Sequence, residues 1–250
     1  MSGQPIIDVS PKAAQRGEPS YVWRAGQERR LAMIREWGGK RLKGTVLENG
    51  CGLGEYLARI GNEASFAVGL DIEFERLLTA KEKSKNLVCA RGEYLPFAYG
   101  SFDLVVSNEV IEHVEDDQHS IKECIHVLKH NGRLTLFCPN RWYPFETHGI
   151  YWRGKYRFGN IPLVNYLPSI LRNKLAPHVR AYTRREIGML FNNLQAVVKY
   201  KTVIFGGYDN IIARRPTFGK IVRAVARFLK KTPIRALGLS HFWVVQKDSA

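Results

Sequence analysis

The segment TVLENGCGLG at residues 45–54 decides the fold of this chain, because it joins a strand to a helix through a glycine loop. Residues 45–48 have the apolar character of a short buried strand, and a helix is predicted to begin at Glu55. The glycines allow the backbone to approach a ligand closely, and the start of the helix presents free N–H groups. The segment therefore predicts a ligand-binding loop at the end of the first strand.

The same alternation of strand and helix extends over most of the chain. Further strands are predicted at residues 66–71, 86–90, 102–107, 133–138, 197–203 and 241–245, and further helices at 20–37, 75–81, 117–129 and 183–191. Short apolar strands alternating with helices are typical of a parallel sheet covered by helices on both faces. The predicted fold class is therefore α/β, with residues 20–250 forming a single domain.

A lead-in and two insertions interrupt the regular pattern. Residues 1–19 are predicted to be disordered. Residues 140–180 place eight aromatic residues among prolines and glycines, and a structureless stretch of this length inside a compact domain is usually a lid or a binding insertion. Residues 208–239 form a second insertion, which is strongly basic.

Charge is distributed unevenly along the chain. The net charge is +15, yet residues 45–139 hold 9 Lys and Arg against 15 Asp and Glu, a balance of −6. This contrast predicts that the acidic part holds a cationic or hydroxyl-rich ligand and that the rest faces something anionic. The four scattered cysteines exclude a disulfide or zinc framework, so no metal is expected. With no signal peptide and no apolar run of about 20 residues, the expected location is the cytoplasm.

The spacing of the glycines discriminates among three kinds of binding loop. A dinucleotide-binding loop of the pattern G-x-G-x-x-G needs a glycine at position 55, which is Glu55. A P-loop needs Gly and then Lys at positions 55 and 56, which are Glu55 and Tyr56. The remaining pattern, E-x-G-x-G-x-G over residues 48–54, resembles the loop of S-adenosylmethionine (SAM) methyltransferases.

Other segments extend this resemblance. Asp71 ends the second strand 21 positions after Gly50, LPF at 95–97 precedes GSFD at 100–103, and NEVIEHV follows at 108–114. Together with His178, Tyr182-Thr183 and Glu186-Ile187, these segments resemble type 11 SAM-dependent methyltransferases, which include quinone-biosynthesis enzymes. The resemblance covers residues 45–139 well and 178–205 loosely. It implies SAM as the cofactor and a Rossmann-like, doubly wound, seven-stranded and mostly parallel sheet, with insertions after strands five and six.

The resemblance also implies a set of cofactor-binding residues. Glu48 would lie near the amino group of SAM, the loop glycines near its methionine part, and Asp71 at the ribose hydroxyls, although Asp71 could instead cap a helix. Arg91 stands where the family often has an aspartate for the adenine, so adenine is expected to be held by the Gly92 backbone or by Glu93. The full set is Glu48, Gly50, Cys51, Gly52, Gly54, Asp71, Ile72, Gly92, Glu93 and Asn108.

Two histidines are the candidates for a catalytic base. Methyl transfer mainly requires alignment and exclusion of water, but a hydroxyl acceptor must also lose its proton. His148 follows the fifth strand and His113 follows the fourth, where strand ends line the ligand crevice. The alternatives are that His148 hydrogen-bonds within its own loop and that Glu112-His113 merely begins a helix. Cys51 is interpreted as a small space-filling residue, because no covalent enzyme intermediate is needed.

The methyl acceptor is not specified by the sequence, and three hypotheses remain. The first is a small-molecule or lipid-linked acceptor methylated on O, N or C. The second is RNA or protein, suggested by the charge of +15 but lacking a recognisable RNA-binding module and an NPPY-like tetrapeptide after strand four. The third is a regulatory protein that binds SAM without turnover. The sequence does not indicate an oligomeric state.

Residues 217–231 suggest contact with an anionic membrane surface. Apolar residues at helical spacing form one stripe, and five basic residues occupy the other side. Such a helix could lie among lipid headgroups and bring the pocket to a lipid acceptor. The alternative is a surface helix whose apolar stripe packs on its own domain.

Overall fold

The computed structural model describes residues 23–206, 217 and 232–248. In chain order the elements up to the first insertion are α1 Ala25–Gly38, β1 Thr45–Asn49, α2 Glu55–Gly61, β2 Phe66–Asp71, α3 Phe74–Ala80, β3 Leu87–Cys89, β4 Phe102–Asn108, α4 Asp117–His126 and β5 Leu128–Pro139. After the insertion follow α6 Arg184–Leu190, β10 Ala196–Ile204 and β11 Ser240–Lys247.

Seven of the strands form one sheet in the order β10-β11-β5-β4-β1-β2-β3. The neighbours from β3 to β5 pair in parallel, and β11 runs antiparallel to both β5 and β10. This arrangement confirms the predicted seven-stranded, mostly parallel sheet. The chain winds outwards in both directions from β1 and β4, so the crevice between these two strands is the switch point at which ligands bind in such sheets.

The sheet is covered on both faces, as predicted. Side chains of β1 alternate between the two core layers, with Val46 in one and Leu47 in the other, because successive strand residues point to opposite faces. α1 and α2 pack on one face, where Ile34 and Ile60 are completely buried, and α4 packs on the other through Ile121. The two layers fix the strand ends that carry the site.

The first insertion is more ordered than the sequence predicted. It contains β6 Phe145–Glu146 paired with β9 Ile161–Pro162, β7 Ile150–Trp152 paired with β8 Lys155–Arg157, and α5 Ser169–Leu175. The expectation of a structureless stretch was wrong, because strands of two or three residues are too short to show periodicity. The buried guanidinium of Arg172 organises the insertion: it bonds to Asn165, to the carbonyl of Val179 and to Glu146.

Some predicted boundaries differ from the structure. α4 ends at His126 rather than at the predicted residue 129, and Asn131-Gly132, a pair of a kind that often follows a helix, lies within β5. α1 begins at Ala25 after Arg24, whereas the predicted start at Ser20, the lead-in 1–19 and nearly all of 217–231 lie outside the described residues. Among the helices that the structure describes, none has the length and apolar composition needed to cross a bilayer.

Candidate functional site

A cavity of about 680 Å³ opens at the carboxyl ends of β1, β2 and β4. This volume lies within the range of sites that enclose a small ligand. Nine of the ten predicted cofactor-binding residues line the cavity: Glu48, Gly50, Cys51, Gly52, Asp71, Ile72, Gly92, Glu93 and Asn108. The tenth, Gly54, is not part of the lining; it caps α2, with φ 76°.

The backbone of the glycine loop explains why glycine is needed. Gly50 has φ 78° and Gly52 has φ 53°, in the left-handed region that L side chains rarely adopt. A Cβ at Gly50 would lie 2.3 Å from Cγ2 of Val110, and one at Gly54 would lie 3.1 Å from Cβ of Ala80. The first two glycines therefore shape the cavity wall, whereas Gly54 allows α2 to pack against α3.

Asp71 joins the end of β2 to the glycine loop. Its Oδ2 accepts the N–H of Gly52 at 2.8 Å, and its Oδ1 accepts the N–H of Glu73 at 2.9 Å. The N-cap residue of α3 is Glu73, so Asp71 does not cap this helix but stabilises the turn before it. The carboxylate thus has a structural role and also faces the cavity.

Glu48 places a buried carboxylate beneath the loop. It is only 2% exposed, and within the described residues its Oε2 has no hydrogen-bond partner. Burial, and then the nearby charge of Asp71, raise the pKa of Glu48 well above its ordinary value. A cationic group in the cavity would compensate for the burial of the Glu48 carboxylate and for its repulsion by Asp71. Burial likewise raises the pKa of the Cys51 thiol, which fits its interpretation as a space-filling residue.

Arg91 lines the cavity and pairs with two glutamates. Its guanidinium lies 3.4 Å from Oε1 of Glu93 and 2.8 Å from Oε2 of Glu115. Although burial opposes it, the N–H of Glu115 at 2.7 Å and the charge of Arg91 hold the pKa of Glu93 below its ordinary value. Arg91 therefore anchors the segment whose Gly92 and Glu93 line the cavity.

The structure brings together the two histidines proposed from sequence. His113 and His148 are 35 positions apart, yet their ring centroids are 5.3 Å apart and both line the cavity. Nδ1 of His148 lies 3.1 Å from Glu146, which is bonded to Arg172 at 2.7 Å, so His148 also bonds within its own loop. Burial lowers the pKa of His113 to about 4, which keeps that ring neutral.

Two charged residues of the site, Arg30 and Glu109, were missed by the sequence reasoning, which considered Glu112 only together with His113. Arg30 on α1 reaches across the crevice to Oδ1 of Asn108 at 2.5 Å and to Oε1 of Glu109 at 2.7 Å. Glu112 is 1% exposed, and burial and then Glu109 raise its pKa well above the ordinary value. The NEVIEHV segment carried a signal for both glutamates, whereas nothing in the α1 sequence distinguished Arg30 from its neighbours.

Comparison with known proteins identifies the central part of the chain. Residues 47–136 match the family model described as a methyltransferase domain. By sequence this part of the chain is a methyltransferase domain, in agreement with the predicted family, enzyme class and cofactor.

Similar proteins agree with this identification. A probable SAM-dependent methyltransferase of Mycolicibacterium smegmatis is 33% identical over 98 residues, covering 38% of this chain and 38% of that protein. The mitochondrial ubiquinone biosynthesis O-methyltransferase of Bos taurus is 31% identical over 114 residues, covering 41% of this chain and 31% of that protein. The matched chain spans less than half the length of these curated relatives.

The fold extends over more of the chain than the family match. A SAM-dependent methyltransferase structure from Mesorhizobium loti superimposes with a TM-score of 0.61, covering 89% of this chain and 98% of that one. The sequence identity is 17%, so this likeness establishes the fold alone. It confirms the Rossmann-like, doubly wound fold that the resemblance implies.

Proposed function

We propose that the protein transfers a methyl group from SAM to a small-molecule or lipid-linked acceptor. The observation that carries the proposal is the buried Glu48 carboxylate, whose Oε2 lacks a partner within the described residues, beneath a glycine loop that matches a methyltransferase family. SAM, when bound, supplies an activated methyl group on a sulfonium, together with a positively charged amino group. The carboxylate and the cavity volume fit such a ligand.

Different residues of the site would contact different parts of the cofactor. Glu48 would receive the amino group, and the backbone at Gly50 and Gly52 would approach the methionine part. Asp71, oriented by two backbone N–H groups, would accept the ribose hydroxyls. The adenine would lie near Glu93, which Arg91 and the N–H of Glu115 hold in place.

We expect the part of the cavity that His113 and His148 line to receive the acceptor. The neutral ring of His113 can accept a hydrogen bond or a proton. A hydroxyl acceptor is favoured because its proton must leave as the new bond to carbon forms. The relatives that are named ubiquinone biosynthesis O-methyltransferases support this choice.

Incubation with methyl-labelled SAM and fractionated cell extract tests the proposal. Label is expected in the lipid or small-molecule fraction. Label confined to RNA or protein would instead support the second hypothesis, for which the net charge of +15 is the argument. Binding of SAM without label in any fraction would support a regulatory protein.

Delivery of a lipid-linked acceptor is the second part of the proposal. The basic amphipathic segment 217–231 would lie on an anionic membrane surface and bring the cavity to its substrate. Its sequence pattern alone supports this part, since the segment lies outside the described residues except for Thr217.

A further inference from the structure

His148 is held from several sides by the first insertion. Its backbone N–H donates to Oε1 of Glu146 at 3.0 Å, and its Nδ1 lies 3.1 Å from the same oxygen. Its carbonyl accepts the hydroxyl of Tyr156 and Nε2 of His178. The Thr147 hydroxyl lies farther from Nδ1, at 3.5 Å. Backbone and ring are therefore fixed, and the ring lines the cavity with Nε2 left for another partner.

The carboxylate of Glu146 determines which ring nitrogen of His148 carries the proton. Although burial opposes ionisation, the hydrogen bond from His148 and the charges of His148 and Arg172 hold the pKa of Glu146 at about 2. An ionised carboxylate has only acceptor atoms, so Nδ1 must supply the hydrogen of the bond at 3.1 Å. In the neutral ring, Nε2 then has the lone pair.

Arg172 keeps Glu146 ionised and in place. Its guanidinium lies 2.7 Å from Oε2 of Glu146, and the two side chains are 2% and 3% exposed. It also donates to Asn165 at 3.3 Å and to the carbonyl of Val179 at 2.8 Å, which fixes its orientation. A buried ion pair gives little net stability, because the loss of hydration offsets the attraction. The pair is better explained by the residue that it orients, and it reaches the cavity through His148.

His113 is less suited to take a proton from the acceptor. It donates a hydrogen bond to the backbone carbonyl of His178, and its Nδ1 is buried. Burial, and then the charge of His148, lower the pKa of His113 to about 4. A second positive charge on His113 would lie beside His148, since the ring centroids are 5.3 Å apart. His113 therefore remains neutral while His148 carries the proton.

The two carboxyl groups that follow β4 are engaged elsewhere. Glu109 is paired with Arg30 at 2.7 Å. Burial, and then Glu109, raise the pKa of Glu112 well above its ordinary value, so its carboxyl is neutral and shares a hydrogen bond with Glu109. His148 is thus the group of this wall that combines a fixed orientation with an open lone pair.

We propose that Glu146, held by Arg172, is a positioning residue that keeps the proton of His148 on Nδ1, so that Nε2 accepts the proton of the acceptor hydroxyl. This role rests on the proposed methyl transfer, but the tautomer of His148 does not. During transfer an oxygen lone pair of the hydroxyl forms the bond to the methyl carbon, and the carbon–sulfur bond breaks with its electron pair staying on sulfur. The O–H electron pair stays on oxygen, the proton passes to Nε2, and the Glu146 carboxylate balances the imidazolium.

Nitrogen-15 NMR of the full chain with labelled histidine reads the tautomer directly. At about pH 8.5 an imidazole with the ordinary pKa of about 6.5 is neutral, and its protonated nitrogen and its lone-pair nitrogen give well separated signals. Among the seven histidines, the signals of His148 are those that His148→Gln lacks. We expect the proton on Nδ1 in the wild type and a shift towards Nε2 in Glu146→Gln, because the glutamine amide can donate to Nδ1.

Turnover of the same variants shows whether this orientation matters, with the labelled fraction of the cell extract as the acceptor. Glu146→Gln should transfer label about 10²- to 10⁴-fold more slowly at unchanged SAM affinity, since general-base catalysis is lost. In a His148→Gln background the same change should have no further effect, because residues that act as a unit are not additive. The matched control is Glu63→Gln, which removes a surface partner of Arg35 at 2.7 Å and should turn over like the wild type.

A second variant keeps the test decisive if Glu146→Gln does not fold because Arg172 loses its buried partner. The double variant Glu146→Gln/Arg172→Met removes both charges and keeps an apolar side chain of similar length. Thermal unfolding and SAM affinity show whether it folds. It should share the tautomer shift and the loss of turnover.

The proposal is overturned if the neutral His148 of the wild type carries its proton on Nε2, or if a folded Glu146→Gln protein transfers label at the wild-type rate. Additive losses from Glu146→Gln and His148→Gln would also overturn it, because Glu146 would then act independently of His148. A wild type with the proton on Nδ1 that transfers no label to any fraction would refute the proposed methyl transfer and leave the tautomer standing.

Discussion

Asp71 both lines the cavity and orients the glycine loop, so its replacement should change both the affinity for SAM and the stability of the fold. In Asp71→Ala the ribose hydroxyls would lose a charged acceptor, and each such hydrogen bond contributes about 1.5–3 kcal/mol. Allowing for water in the vacated space, we expect a loss of about 3 kcal/mol in SAM affinity, a rise in Kd of about 100-fold. The variant also removes the acceptor of two backbone N–H groups, at 2.8 Å and 2.9 Å. Its unfolding free energy should therefore fall by about 2 kcal/mol.

Asp103→Ala is the matched control for this loss of stability. Asp103 also accepts a backbone N–H, from Thr45 at 2.8 Å, and it pairs with Lys129 at 2.7 Å. Asp103 lies at the amino end of β4 and does not line the cavity, so its loss should lower stability without changing SAM affinity. Asp71→Asn, which keeps one acceptor oxygen, should be intermediate.

Titration calorimetry with SAM and its demethylated product measures the affinities, and thermal unfolding measures the stabilities. A folded Asp71→Ala protein whose Kd stays within about threefold of the wild type would refute the ribose assignment. An equal loss of affinity in Asp71→Ala and Asp103→Ala would show that the effect is a general loss of stability.

Three further predictions concern other parts of the chain. His148→Ala should lower turnover on a hydroxyl acceptor by about 10²- to 10⁴-fold while SAM affinity is unchanged; unchanged turnover removes His148 from the mechanism. Burial lowers the pKa of His241 to about 4 in the folded chain, whereas an unfolded histidine has a pKa of about 6.5. The neutral imidazole therefore contributes about 3 kcal/mol to the free energy of unfolding above about pH 6.5, and this contribution is lost as the pH falls from 6.5 to 4. Denaturant unfolding of His241→Gln should lack this component, and an unchanged pH profile would contradict it. Changing Lys220, Arg223 and Arg227 to Glu should abolish sedimentation with anionic liposomes at low salt and leave SAM binding intact; a wild type that stays in the supernatant would contradict membrane contact.

The sheet could be predicted from sequence because its strands are short apolar runs with clear ends. The predicted bounds of β2 are those of the structure, and β1 and β4 differ by one residue. The end of α4 was wrong because Asn-Gly has two uses: it commonly ends helices, but here Asn131 adopts φ 62° inside β5. The pair marks a left-handed residue and does not tell which element contains it.

The cofactor side of the site was predictable for a similar local reason. Glu48, the glycine loop and Asp71 belong to two adjacent strands and their ends, so the parallel register places them together. The acceptor side depends on contacts between distant segments. Arg30 comes from a helix before the first strand, and His148 is held by Glu146, which a buried arginine of the same insertion positions. No periodic pattern encodes these contacts.

The charge of the site supports a cationic ligand beneath the glycine loop. Three of its glutamates are satisfied by residues of the chain itself: Glu93 by Arg91 and a backbone N–H, Glu109 by Arg30, and Glu146 by Arg172. Burial, and then Glu109, raise the pKa of Glu112 well above its ordinary value, which favours a neutral carboxyl that shares a hydrogen bond with Glu109. Glu48 differs, since within the described residues its Oε2 lacks a hydrogen-bond partner. Because an uncompensated buried carboxylate is costly, Glu48 is best explained by a cation that the chain does not provide, and it lies under the loop that would hold the amino group of SAM.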